Sequence, residues 1–528
     1  MKNICLIIML SYLSAQMPFD CLFNKKSSLN RSGLQSNAII DIRNGLENEL
    51  YIGTGDSLGR ADITNPLAPI FETVRDELLP EGGIPALKTY TQDDGSIMIV
   101  LSGAISTYEG GDDKCSPRGT GTSWSIDSGT TWRHMPQFIE SYNSPDTSIT
   151  SWGSQQIKYK TVTTTAKNIS YDLDVHGDYI YTTSWAGGLR RFNYTDENPE
   201  WEVIPLPMED QDSLKCGEIN ENEFLLDPVD NDNHKAFSIY AQSDTIWVGT
   251  AGGINKGIVN ANANGCIDWF HYDTEDGLGG DWIVGIIPQE LSQSTTRLWL
   301  ISWLGEPPSP HPLTYTDDGG KTWKDVPQFQ ERGIIVYNLF ITSQYIIAST
   351  DHGLQYAATS NIDSWSRYPI GSDISGERIL SDTYYTAISI GGEEIDPLFY
   401  IGTADGLSII SLREEKLIDN IRFWESPILF SAYPNPFFIE EYNQISSDRN
   451  VRFIYLNPNE YTGTIDVFDF AMDHVKHLNN SNPVILDGEN EIVWNGRNEY
   501  GDKVANGAYF CRLSLNGKYY WTKLAVIN

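Results

Sequence analysis

The sequence predicts an all-β chain: a seven-bladed β-propeller followed by a small β-sandwich. Three observations carry that expectation. A short apolar strand running into a glycine-rich turn occurs seven times. Each copy has a second apolar run before it and an aromatic residue after it. The last hundred residues abandon this repeat for a different series of alternating strands.

The repeat is clearest in Thr245-Ile246-Trp247-Val248-Gly249-Thr250-Ala251-Gly252-Gly253-Ile254, where β-branched and aromatic residues give way to a small-residue turn. The other strands are residues 50–54, 98–103, 180–184, 298–302, 345–350 and 399–403, and most lead into turns such as Gly187-Gly188-Leu189, His352-Gly353-Leu354 and Asp405-Gly406-Leu407. The preceding runs are 38–42, 86–90, 171–175, 237–240, 283–287, 337–341 and 385–390. A third strand follows each turn, and a fourth carries Phe71, Trp132, Trp201, Trp269, Trp323, Trp365 or Trp424. Four strands repeated at roughly 40 to 80 residues signal blades that bury their faces on neighbours around an axis, with the aromatics filling the space between blades.

Composition bounds the rest. The 528 residues hold one large propeller and a small module, and 40% hydrophobic content suffices for both cores. A net charge of −35 argues against nucleic acid and anionic membranes as partners and fits a soluble acidic surface. No cofactor or metal site is expected; divalent-cation binding by some of the carboxylates is the alternative, and no EF-hand spacing supports it. Lys2, the apolar run 4–13 and Ser14-Ala15-Gln16 read as a secretory leader spanning 1–16. The remaining cysteines define no disulfide framework; Cys216 with Cys266, in neighbouring blades, is the pair to check. The expected domains are the leader, a propeller over 17–426 and a terminal module over 427–528.

Two long connections stand out. Residues 137–168 are rich in Ser and Thr and read as an insertion, mobile rather than functional. Residues 209–233 are acidic and read as a solvated loop.

Ser125-Ile126-Asp127-Ser128-Gly129-Thr130-Thr131-Trp132 and Thr316-Asp317-Asp318-Gly319-Gly320-Lys321-Thr322-Trp323 share one hairpin-turn pattern. In it an Asp accepts from turn amides, a Gly takes a positive φ and a Trp anchors the turn. The pattern, with Asp127, Gly129, Trp132, Asp318, Gly320 and Trp323, resembles the Asp-box of sialidases and related BNR-repeat propellers. That resemblance implies a structural turn between third and fourth strands, on the face away from any active site. The strand-Gly-Thr-x-x-Gly-Gly-Leu repeat over most of 36–410 resembles the propeller repeats of two-component-regulator sensors.

The terminal strands, among them 451–455, 463–468, 491–494, 508–515 and 519–527, follow Tyr433-Pro434-Asn435-Pro436-Phe437. The paired prolines there mark an expected extended hinge. The segment from Trp494 to Phe510, with Gly496, Gly501 and Gly507 at expected turns, resembles the FlgD-type immunoglobulin-like module. That module also serves as the C-terminal sorting domain of type IX secretion cargo. The resemblance implies an immunoglobulin-like sandwich, the type IX secretion machinery as a partner, and delivery to the outer surface of a two-membrane bacterium or beyond.

In a blade the start of the first strand and the end of the second meet on one face. The residues there are Asn37 and Asp56, Tyr108, Trp185, His234, Asp281 and Trp282, Trp303, His352, Tyr384 and Asp405. Tyr108, Trp185, Trp282, Trp303, Asp281, His352 and Asp405 form the expected ligand site, aromatics among polar groups that suit a carbohydrate or other polar extracellular ligand. Catalysis is less well supported. The sialidase resemblance implies an Arg-Ile-Pro arginine, whereas Gly83 precedes Ile84-Pro85. No serine-nucleophile, zinc-protease or phosphate-loop motif occurs. The expectation is a monomeric exported binding propeller, with a glycoside hydrolase or lyase acting in the funnel as the alternative.

Overall fold

The computed structural model describes residues 33–527 except 109–114, 141–143, 165–167, 221–222, 261–264, 293–294, 304–310, 369–383, 391–397, 413, 415, 424–429, 440–448, 457–462, 480–488 and 516–517. Residues 1–16, expected as a leader, and Trp424 lie outside the described residues. The chain divides into two compact units, Met1–Trp424 and Glu425–Asn528.

The first unit is a seven-bladed β-propeller. Its blades span 39–73, 83–135, 170–204, 236–272, 282–326, 336–367 and 384–421. Each is four consecutive strands in antiparallel order, and the fourth blade gains an outer fifth strand, Ser213–Leu214. Second strands such as Thr245–Thr250 are buried from their second residue onward. They lie mid-blade with a neighbouring blade on either face, which is why they are continuous apolar runs rather than alternating ones. The threonine ending many of these strands staples the turn that follows. Its hydroxyl donates to a carbonyl three residues on, as in Thr250 to Gly253 (3.0 Å) and Thr403 to Gly406 (2.9 Å). Gly253 and Gly406 hold φ of 125° and 129°, which side-chain-bearing residues avoid.

The first strands touch one another in cyclic order, and Tyr384–Ile390 of blade seven returns to Ile39–Asn44 of blade one. Among the described residues no strand is exchanged across this junction. Side chains close it instead. Asn37 donates to Asp405 (3.1 Å) and accepts from the Phe423 amide (2.8 Å), while Phe71 meets Phe423 edge-on at 4.9 Å. The fourth-strand aromatics pack on the preceding blade, as Trp365 does on Trp299 and Trp323 on Trp247.

Every first strand also carries a β-bulge near its start. The residue skipped in the pairing is Ile40, Tyr171, Phe237, Val284, Tyr337 or Tyr385 in six blades, and the Ile84-Pro85 pair in blade two. A bulge re-aims the side chain it releases, so in six blades the innermost strand turns one residue away from the regular alternation near its start.

Both long connections are folded, contrary to expectation. Thr147–Trp152 and Gln155–Lys160 form a hairpin, and Leu225–Leu226 from the acidic stretch adds a parallel third strand. Trp152, Ile157, Leu214, Ile219 and Phe224 share a core with Tyr181, Ile239 and Trp269 of blades three and four. Burying those rings outweighs the polarity of the surrounding Ser, Thr and Asp residues. Cys216 of the acidic stretch is disulfide-bonded to Cys266 of blade four.

Among its described residues the second unit contains two sheets. One holds Ser431–Tyr433, Val451–Leu456 and Glu489–Trp494; the other holds Phe437–Phe438, Lys518–Ile527, Gly507–Leu515, Gly463–Phe468 and His474–Asn479. Phe453, Ile492 and Trp494 of the first meet Val467, Leu513 and Leu524 of the second in one core, a β-sandwich. The expected hinge is part of it. Asn435 donates to the Lys523 carbonyl (2.9 Å) and accepts from the Ala525 amide (3.0 Å), and Ala432 and Phe437 are buried. Gly496 and Gly501 take positive φ, whereas Gly507 opens a strand.

Candidate ligand-binding site at the channel mouth

The bulges build the site. Phe237 leaves the first strand of blade four, Trp282 opens that of blade five, and Trp185 sits in the turn after the second strand of blade three. Their rings meet as a triangle: Trp185–Phe237 5.5 Å, Trp185–Trp282 5.4 Å and Phe237–Trp282 5.5 Å between centroids. Phe237 is buried beneath, with Tyr171 of blade three beside it at 5.8 Å, and the two indoles are half-buried. The Lys235 ammonium lies 5.4 Å over the Trp185 ring. Further round the ring, Tyr337 and Tyr385 meet edge-on at 5.5 Å. The strand starts of blades three to seven therefore present an aromatic rim, with Lys235, ion-paired to Asp232, at one end.

Sequence reasoning placed Trp185 and Trp282 at this rim and missed Phe237, Tyr171, Tyr337 and Tyr385. The other sequence-derived residues are dispersed. Trp303 is only 4% exposed, and its Nε1 donates to the Val336 carbonyl. Its ring is a wedge between blades five and six, which corrects its assignment as a ligand platform. Asp281 accepts from the amide and hydroxyl of Thr274, and burial raises its pKa against those bonds. Asp405 is held by Arg422 and Asn37 at the ring closure. His352 is exposed, its Nδ1 2.8 Å from Asp351. Asp56 lines a cleft of about 500 Å³ with Arg75, Asp76, Glu77 and Glu81. His234 is fully buried between the Asp227 amide and the Leu206 carbonyl, and burial pushes its pKa down to about 4. Tyr384 is buried as well. The side chain of Tyr108 lies outside the described residues.

Below the rim, the first strands carry charges that sequence reasoning passed over. Lys88 Nζ of blade two reaches Asp174 (3.1 Å) and Asp172 (3.7 Å) of blade three and the Ile239 carbonyl of blade four (3.1 Å). Tyr90 donates to Asp174 (2.6 Å), and Arg43 pairs with Asp41 and reaches the Leu87 carbonyl. Burial raises the pKa of Asp172 and of Asp41, opposed by Lys88 and Arg43 respectively. Burial works to lower that of Lys88, and the two aspartates outweigh it. Such pairs tie neighbouring blades in register but leave little unsatisfied charge for a ligand.

Arg190 is also committed. Its guanidinium stacks 3.7 Å from the Phe138 ring and donates to Gly187 and Thr163, and burial lowers its pKa to about 10. It pins the first insertion to blade three.

The two Asp-containing turns sit at the opposite end of the blades, as third-to-fourth-strand hairpins. Asp127 accepts from the Thr131 amide (2.8 Å) and hydroxyl (2.7 Å). Asp318 accepts from the amides of Lys321 (3.0 Å) and Thr322 (2.9 Å) and from the Thr322 hydroxyl (2.7 Å). Each turn docks on the preceding blade, where Tyr51 donates to the Ser128 carbonyl and Lys256 to that of Gly319. A side chain at Gly320 would stand 2.9 Å from the Trp247 ring, so φ and space both require glycine there.

By its sheets the first unit is, as a class, a β-propeller whose strand ends carry an aromatic rim. No family model and no curated protein matches the sequence. Solved structures similar to it include PorZ of Porphyromonas gingivalis, described as an essential bacterial surface component of the type-IX secretion system. It is 12% identical with a TM-score of 0.40, over 91% of this chain and 64% of that one, so this chain spans less than two thirds of PorZ. The extracellular domain of the hybrid two-component system BT4673 of B. thetaiotaomicron is 13% identical over 94% of this chain and 81% of that one (TM-score 0.22). The β-propeller domain of Cps50 (Swd1) from Myceliophteria thermophila is 10% identical over 72% of this chain and 98% of that one (TM-score 0.43). The assignment of the fold rests on the chain's own sheets.

Proposed function

We propose that this chain is an exported binding propeller that seats a carbohydrate or similar polar ligand on the aromatic rim at the mouth of its channel. The observation that carries the reading is the convergence of Trp185, Phe237 and Trp282 from three blades, within 5.5 Å of one another and beside Lys235. Half-buried indoles offer flat apolar faces to the C–H faces of a sugar ring, and a nearby ammonium donates to its hydroxyls or to an acidic substituent. Binding is favoured over hydrolysis because the two rim carboxylates the sequence singled out, Asp281 and Asp405, are each hydrogen-bonded to neighbouring chain rather than turned toward each other.

Residues 431–528 act in this reading as the export module, carrying the propeller through a type IX route to the cell surface. The support is the sequence resemblance of Trp494 to Phe510 and the self-contained core of the sandwich. The experiment is a glycan array run beside a hydrolysis assay on the same polysaccharides. Trp185→Ala and Trp282→Ala are expected to weaken a hit at least ten-fold with the fold intact; product release from the polysaccharide would transfer the reading to the hydrolase alternative. Deleting residues 433–528 is expected to leave a folded propeller in the periplasm, and unchanged surface display would defeat the export role.

A further inference from the structure

The outer face of the sandwich carries a group of side chains with no part in the propeller's rim. Asp466 lies on Gly463–Phe468, and His474 and His477 lie on the adjacent strand His474–Asn479. Residues three apart on a regular strand point to opposite faces. Here a bulge intervenes: Val467 pairs with Lys476 but Phe468 pairs with His474, so Val475 is extra. The bulge brings both imidazoles to the face of Asp466, which is itself paired with His477.

The geometry that results is that of a ligand set. His477 Nδ1 is 2.6 Å and His474 Nε2 3.3 Å from Asp466 Oδ1, and the three donor atoms all lie within 4.8 Å of one another. Nitrogen and oxygen ligands around one first-row cation, at about 2.0–2.2 Å from it, stand roughly 3.0–3.4 Å apart, so small ring rotations suffice.

The surroundings are built to hold this arrangement. Asn479 Oδ1 lies 3.0 Å from His477 Nε2 and accepts its N–H, which turns Nδ1 toward Asp466. That is the partner a metal-binding imidazole needs on its far nitrogen. Arg512 donates to Asp466 Oδ2 (2.8 Å) and is itself fixed among the rings of Phe468, Tyr519 and Trp521. It fixes the carboxylate and leaves Oδ1 facing the two rings. His474 packs edge-on against Phe468 at 5.6 Å. The histidines are 44% and 42% exposed and Asp466 12%, so a cation approaches from solvent while its carboxylate anchor stays shielded.

We propose that Asp466, His474 and His477 form a binding site for a divalent transition-metal cation on the outer face of the terminal sandwich, with water completing the coordination. Two imidazoles and one carboxylate select zinc, copper or nickel over calcium and magnesium, which demand oxygen ligands. Arg512 and Asn479 are positioning residues that orient the carboxylate and one imidazole.

The test uses the full chain, with Zn²⁺ as titrant in calorimetry and Co²⁺ as a spectroscopic substitute. One site is expected, with ligand-field bands from bound Co²⁺ and no competition from millimolar Ca²⁺ or Mg²⁺. His474→Ala and His477→Ala are each expected to weaken Zn²⁺ at least ten-fold and abolish the bands, with the melting profile of the metal-free protein unchanged. Asn479→Ala is expected to weaken it about ten-fold by releasing the ring. His176→Ala in the propeller serves as the control and leaves Zn²⁺ binding unaltered. If a histidine variant does not fold, imidazole-nitrogen NMR shifts of the wild-type protein on adding Zn²⁺ report the same contacts. Zn²⁺ binding that is absent, that survives both histidine substitutions or that leaves those imidazole signals unmoved overturns the proposal.

Discussion

Removing one carboxylate from the turn of blade five tests how these hairpins stabilise the ring. Asp318→Ala deletes the acceptor for the Lys321 and Thr322 amides and for the hydroxyls of Thr322 and Thr316. Buried, four bonds to a charged group would sum to several kcal/mol. Asp318 is exposed and water replaces part of each, so the expected loss is about 1–3 kcal/mol. These bonds, with the Thr322 hydroxyl foremost, hold the Asp318 pKa down at about 2 against an ordinary 3.8. In a shielded site that difference is worth roughly 2 kcal/mol, and in an exposed one roughly half as much. Because the folded-state pKa is depressed, the contribution is full above 3.8 and disappears as pH falls through 2. Calorimetric melting of the full chain should show the variant about 1–4 °C below wild type at neutral pH, with the gap narrowing between pH 4 and pH 2. A variant equal to wild type at neutral pH, or a gap unchanged at pH 2, refutes the reasoning.

Three other outcomes follow from the geometry. Trp303→Ala should cost about 3–5 kcal/mol of stability, read by urea unfolding, because it empties a packed wedge; glycan affinity of the folded fraction should not change. Cysteine-to-serine replacement at Cys216 and Cys266 should destabilise the propeller by up to about 4 kcal/mol, the loop-closure estimate for cysteines 50 residues apart, as measured by denaturation with and without reductant. His234, depressed from 6.5 to about 4, is neutral when folded where the unfolded chain is protonated. Stability should therefore fall as pH drops from 6.5 toward 4 and level off below, and His234→Gln should flatten that slope in urea titrations across the window.

The ring was legible in the sequence because second strands are buried on both sides and must be continuous apolar runs, as in 245–250 and 399–403. The turn chemistry was legible too, since Thr, Gly and Asp each have a specific backbone task there. What escaped were properties of register. Tyr171, Phe237, Tyr337 and Tyr385 read as ordinary members of their runs, and only a bulge one residue long turns them to the mouth. Trp303 was misassigned for the opposite reason, because its place at a strand end did not reveal that blade six covers it. The insertion 147–160 did carry a short period-two signal in Ile157 and Tyr159, whose side chains share one core. Its Ser and Thr content masked that signal. The alternation of Asp172 and Asp174 with Leu173 and Val175 likewise marked the inner strand of blade three.

The junction between blades one and seven has a consequence for how the chain reaches this form. Six blades consist of contacts local in sequence and can organise in the order in which they emerge. The seventh must find its partners across the whole domain, with Asn37 and Asp405 separated by 368 positions and Tyr400 and Pro66 by 334. Closing so long a loop adds only slowly growing entropy, but it has to precede every contact that rewards it. Until then Ile39, Ile52 and Phe71 at one edge have no cover, although they are nearly or fully buried in the finished ring. A ribosome stalled after blade six would thus hold an open crescent with an apolar lip, and the last forty residues of the propeller decide whether that lip is sealed or recruits another chain.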